Sequence, residues 1–137
     1  YALGSVPLIE AMNRVKYSFN PYNVNRMTMA AGIAAVEDEV YFKKCCYTIV
    51  ENRRWTTAEL EKLGFSVLPS KANFVFAKSD KISGEELYQR LKERGVLVRW
   101  FPEERIFDYL RITIGSKKQM QALIFEISCI LQQEGGI

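Results

Sequence analysis

Hydrophobic and polar positions alternate most clearly in the second half of the chain. Leu110, Ile112 and Ile114 are interleaved with Tyr109, Arg111 and Thr113, a period of two that predicts a strand with aliphatics on one face and the arginine on the other. Just upstream, Val96 and Val98 alternate with Leu97 and Arg99 and predict a second strand of the same kind. After Gly115 the period changes. Met120, Leu123, Ile124, Ile127 and Leu131 fall at the spacing of a helix that packs one face on a sheet. Phe65–Pro69 and Ala72–Ala77 read as two further strands. Ser83 to Gly95 reads as a helix carrying Leu87, Tyr88 and Leu91, opened by a Ser-x-x-Glu capping box and closed by glycine. Ser116–Gln119 is a second box of the same form. The order from Phe65 onward is strand, strand, helix, strand, strand, helix, which predicts an α+β unit with a largely antiparallel sheet.

The first 64 residues are patterned as helices. One is expected from Ser5 to about Lys16, with Val6, Ile9, Met12 and Val15 on one side and a break at Tyr17–Pro21, where Pro21 drives Asn20 out of the helical region. A second is expected from about Asn23, through Val24, Met27 and the Ala-rich run Ala30–Ala35. Its small and apolar residues go nearly all the way round, so it should be buried against something. Glu37–Glu39 supplies negative charge suited to a helix N-terminus. From there to Gly64 no proline or glycine interrupts, which predicts one long bridging helix carrying Val40, Cys45, Ile49, Thr56, Leu60 and Leu63. The organisation expected is residues 1–37 as one part and 38–137 as the long helix with the small α+β domain, ending in a loose Gly135-Gly136 tail.

The candidate chemistry lies in the two strands between Gly95 and Gly115. With their aliphatic faces together, Arg99 and Arg111 project from the same opposite face, an arrangement suited to an anion. The connection from Trp100 to Asp108 is longer than a hairpin loop usually is, and its Trp100, Phe101, Pro102 and Phe107 read as a pocket wall. The competing reading is an ordinary pair of surface arginines neutralised by Glu103, Glu104 or Asp108.

Composition narrows the alternatives. The chain of 137 residues contains no histidine, which removes Ser-His and Cys-His nucleophile pairs and histidine metal sites. Its three cysteines, two of them adjacent at Cys45-Cys46, form neither a disulfide framework nor a metal spacing. They favour a reducing compartment, the cytoplasm or, in a plant-like source, a plastid. A net charge of +3 with scattered basic residues argues against a nucleic-acid partner, and no apolar run is long enough for a membrane partner.

Tyr1–Gly4, Phe19–Asn25 (Phe-Asn-Pro-Tyr-Asn-Val-Asn), Ala30–Asp38, Ala72–Phe76, Gly95–Arg99 and Leu110–Gly115 (Leu-Arg-Ile-Thr-Ile-Gly) come in an order and separation that resembles the C-terminal third of the histidinol-phosphate aminotransferases. These are fold type I pyridoxal-phosphate enzymes. The resemblance covers nearly the whole chain and rests on the ordered set of segments. It implies that residues 1–37 are the tail of a large cofactor-binding domain, and that the enzyme is a homodimer using pyridoxal 5'-phosphate. The implied reaction moves an amino group between histidinol phosphate, a phosphorylated amino alcohol, and 2-oxoglutarate. It further implies that Arg111 grips the acid group of the substrate, that Arg99 assists, and that Tyr22 and Asn23 lie near the active site and subunit interface. Asn23 could equally cap the helix that follows it. No lysine here stands in the family's local pattern for the cofactor-bonded lysine, so that catalytic residue is expected upstream of Tyr1. An aromatic aminotransferase, a phospho-amino-acid decarboxylase and a non-catalytic ligand-binding or dimerisation module remain alternative readings.

Overall fold

The computed structural model describes residues 1–19 and 21–134, so the expectations for Asn20 and the Gly135-Gly136 tail lie outside the described residues. The chain divides into two compact units, Tyr1–Phe42 and Lys43–Ile137.

The first unit holds α1 (Val6–Phe19) and α2 (Arg26–Glu37). α2 starts later than its composition suggests, because Asn25 rather than Asn23 is the cap: its Oδ1 accepts the Thr28 amide hydrogen bond at 2.9 Å. Neither helix buries a residue. Val6 and Val15 of α1 and Met27 and Val36 of α2 stand 66–84% exposed, so among the described residues the small-residue faces of α2 have no cover.

Asp38 closes α2, its N–H donating to Ala34 O at 3.1 Å, and opens α3 (Glu39–Lys62), its Oδ1 accepting from the Tyr41 N–H at 3.0 Å. This 24-residue helix is the long one expected. It begins in the first unit and continues into the second. Its buried residues, Asn52, Thr56 and Leu60, all lie in the C-terminal half, while Val40 is 83% exposed. Gly64 ends it at φ +90°, a conformation that carries a steric cost for any side chain.

The second unit follows the expected order: β1 (Phe65–Val67), β2 (Phe74–Ser79), α4 (Gly84–Glu93), β3 (Arg99–Trp100), a single 3-10 turn over Glu104–Ile106, β4 (Leu110–Thr113) and α5 (Lys117–Glu134). The strands form one sheet in the order β1-β2-β4-β3 with every neighbouring pair antiparallel. Alternation decides the faces. Val75, Ala77, Leu110 and Ile112 are buried and join Leu60 of α3, Leu87 and Leu91 of α4, and Leu123, Ile127 and Ile130 of α5 in a single core. Phe74, Phe76, Tyr109 and Arg111, on the opposite face, are only half-buried.

The two capping boxes differ. Around Ser116 the bonds are reciprocal: Gln119 N–H donates to Ser116 Oγ at 3.4 Å, and Ser116 N–H donates to Gln119 Oε1 at 2.8 Å. At Ser83 the hydroxyl accepts from Glu86 N–H at 3.2 Å, while the Glu86 carboxylate turns to Arg90 at 3.4 Å.

Candidate functional site

β4 lies inside the sheet and is paired on both sides, which fixes the backbone that carries Arg111. Across one ladder Arg111 is opposite Phe76, and across the other it is opposite Arg99. All three side chains therefore leave the sheet on the face away from the helices. The loop after β3 returns Phe101 to this face. Its ring lies 5.3 Å from Arg99 Cζ and 5.7 Å from Arg111 Cζ. Phe74 lies 5.6 Å from Arg111 Cζ, so Arg111 has an aromatic ring from β2 and one from the loop. Phe76 stacks on both Phe101 and Tyr109, with centroids 6.1 and 5.6 Å away.

Glu103, Glu104 and Asp108 ion-pair with neither arginine among the described residues. What orients the guanidinium groups is ring contact, worth about 0.5–1 kcal/mol each at exposed sites. A ring face leaves the N–H edges of the fork unspent, and those edges match a carboxylate or phosphate bidentately. The arrangement is chemically suited to an anion, with aromatic rings beside both guanidinium groups.

The pocket-wall reading of the loop needs correction. Trp100 alternates with Arg99 and turns to the helix side, where it stacks on Tyr88 of α4 at 6.3 Å and meets Phe107 edge-on at 5.1 Å. Only Phe101 of the loop aromatics faces the arginines. Sequence reasoning missed Phe74 and Phe76, although Phe74, Phe76 and Lys78 alternate with Val75, Ala77 and Ser79 and so share the face of Arg111. The other two candidates belong to the first unit. Tyr22 is 86% exposed, and Asn23 borders a groove of α1 formed by Met12, Val15 and Phe19.

Comparison with known proteins places this chain in a family. The family model for aminotransferase class I and II matches residues 1–127. The chain is 44% identical over 133 residues to the histidinol-phosphate aminotransferase of Clostridium botulinum strain Okra, covering 97% of this chain and 38% of that protein. It is 48% identical over 123 residues to histidinol-phosphate aminotransferase 1 of Pseudomonas fluorescens, covering 90% of this chain and 35% of that one. Among solved structures, the histidinol-phosphate aminotransferase of Clostridium acetobutylicum superposes with a TM-score of 0.73 at 26% identity, over 90% of this chain and 38% of that chain. The Sinorhizobium meliloti enzyme, solved in complex with pyridoxal-5'-phosphate, shares the fold at a TM-score of 0.74 and 24% identity, over 83% of this chain and 32% of its own. The chain spans under two fifths of the length of the curated relatives it matches and corresponds to their C-terminal part. It is a member of the class I and II aminotransferases.

Proposed function

We propose that this chain is the acid-group-binding C-terminal part of a pyridoxal-phosphate-dependent aminotransferase that exchanges the amino group of histidinol phosphate with 2-oxoglutarate. One observation carries the reading: Arg99 and Arg111 stand opposite each other on one sheet face, oriented by Phe101 and Phe74, with no carboxylate paired to either among the described residues. The choice of donor is supported by the names of relatives at 44–48% identity, which are histidinol-phosphate aminotransferases.

No lysine of this chain stands in a setting that fits a covalent bond to the cofactor. A lysine that bonds to it is held desolvated, whereas every lysine here is exposed except Lys78, which is half-buried with its Nζ 5.7 Å from the Tyr109 ring. When bound in the intact enzyme, pyridoxal phosphate supplies the electron sink for the amino transfer. What this chain contributes is orientation. The Arg111 fork takes the donor phosphate or the acceptor carboxylate at the same place, Arg99 adds a second positive group, and Phe74, Phe76 and Phe101 keep water from the flank of the contact. The helices of residues 1–42 are proposed to pack against the remaining length of the enzyme and a second subunit, with Tyr22 and Asn23 near that interface. The three free cysteines suit a reducing compartment such as the cytoplasm.

Arg111→Ala in the intact enzyme tests the reading. Loss of a desolvated guanidinium contact typically costs about 2–5 kcal/mol, so kcat/KM should fall by more than roughly tenfold for both histidinol phosphate and 2-oxoglutarate. A folded variant with both values within about twofold of wild type would return Arg111 to the status of a solvated surface arginine.

A further inference from the structure

We propose that Gly84 and Trp100 are positioning residues for the arginine face, fixing the β3–β4 loop so that Phe101 sits against both guanidinium groups; the inference rests on the acid-binding reading of that face. The loop is held at one short piece of backbone, Phe107–Asp108, by contacts of two kinds. From α4, the bare Cα of Gly84 presses against it. A Cβ at Gly84 would stand 2.7 Å from the Phe107 carbonyl oxygen and 2.8 and 2.9 Å from the carbonyl carbon and oxygen of Asp108. These are backbone atoms, which cannot swing away as a side-chain end can. From β3, the indole Nε1–H of Trp100 donates to the same Phe107 carbonyl at 2.7 Å.

One turn along α4 from Gly84, Tyr88 stacks on the Trp100 ring, as the i, i+4 spacing allows. The helix therefore meets the loop through a glycine and an aromatic on one face. Trp100 is the residue between Arg99 and Phe101, and alternation sends its neighbours to the other side of the sheet. Anchoring Trp100 behind the sheet thus sets the backbone from which Arg99 and Phe101 leave in front. Moving Phe107–Asp108 outward would release the indole and let Phe101 slide from beneath the arginines. Neither Gly84 nor Trp100 lies on the arginine face, so each acts through Phe101 and Arg99.

The test uses the intact enzyme carrying Gly84→Ala, Trp100→Phe or Arg111→Ala, read in single-turnover half-reactions with histidinol phosphate and with unphosphorylated histidinol. Trp100→Phe keeps a ring for Tyr88 and Phe107 but lacks the donor, and it decides the matter should Gly84→Ala fail to fold. Both positioning variants should raise the apparent Kd for histidinol phosphate at least about fivefold, with the limiting rate and the values for histidinol within about twofold. An equal loss with both donors, or no change with either, while Arg111→Ala still discriminates against the phosphate, would overturn this inference alone. Should Arg111→Ala itself be silent, the acid-binding reading and this inference fall together.

Discussion

Arg99 and Arg111 are Cα partners across the β3–β4 ladder, so two positive side chains face each other on adjacent strands with the Phe101 ring against both. Like charges directly opposite in a sheet are destabilising, and among the described residues no carboxylate is ion-paired with either. A fold selected for stability alone would not favour this pair, which supports the proposal that a ligand's negative charge belongs there.

Replacing one partner should therefore cost the second unit little. Arg99→Thr relieves a repulsion worth about 0.2–1 kcal/mol and places a β-branched residue in the strand, but it also removes the Phe101 contact of Arg99, worth about 0.5–1 kcal/mol. In urea titrations the variant should lie within about 0.5 kcal/mol of wild type, and its stability relative to wild type should fall with added salt, which already screens the repulsion in the parent. A loss of more than about 1 kcal/mol at low salt would contradict the account.

Charge without the planar fork should not suffice. In the intact enzyme Arg111→Lys should recover only part of the kcat/KM lost in Arg111→Ala, because an ammonium is a point charge. Arg99→Ala should raise KM more for histidinol phosphate than for 2-oxoglutarate, since a phosphate carries more charge for the second guanidinium to meet. Steady-state kinetics with each substrate varied in turn would check both expectations.

Two buried polar residues on α3 should respond in opposite directions. Asn52 Nδ2 donates to Gly115 O at 2.8 Å, tying α3 to the turn between β4 and α5. Asn52→Ala leaves that carbonyl without its donor and should cost about 1–3 kcal/mol. The Thr56 hydroxyl is fully buried with no hydrogen-bond partner among the described residues. Thr56→Val should be neutral or stabilising, by up to roughly 1–3 kcal/mol. Chemical denaturation of the two variants side by side would show the contrast.

Hydrogen exchange should separate the two units. The amides of α1 and α2, whose helices bury nothing, should exchange quickly in this chain and more slowly in the intact enzyme, where their apolar faces are proposed to be covered. Equal protection of residues 26–37 in both would remove the interface role.

Where local chemistry decides an element, the sequence reads well. Gly64 and Gly95 were expected helix stops and adopt φ +90° and +78°. The α5 stripe and the alternation in β4 follow directly from burial of one face. The misses arise where a distant bond overrides a local pattern. The strand expected from Val96 begins at Arg99, because Val96 N–H is drawn back to Leu91 O at 2.8 Å by the helix end. β2 begins at Phe74 rather than Ala72 because the Ser70 hydroxyl ties a turn there, accepting from Ala72 N–H at 3.1 Å and donating to Phe74 O at 2.6 Å. The arginines were legible from period two alone. The Phe74 and Phe101 rings beside Arg111 became visible only with the strand order, since pairing β2 to β4 is a non-local event.

That strand order has a consequence for how the protein can aggregate. The rims of the sheet are its two shortest strands: β1 has three residues and β3 two, while β4 with four and β2 with six sit inside with both sides occupied. A rim so short offers an incoming chain too few free amides and carbonyls to template another strand. Misassembly at high concentration should accordingly proceed through greasy side chains, such as Val6, Met27 and Val36 on the exposed helices. The deposits should be amorphous and dispersed by mild detergent, and should bind little of a cross-β dye.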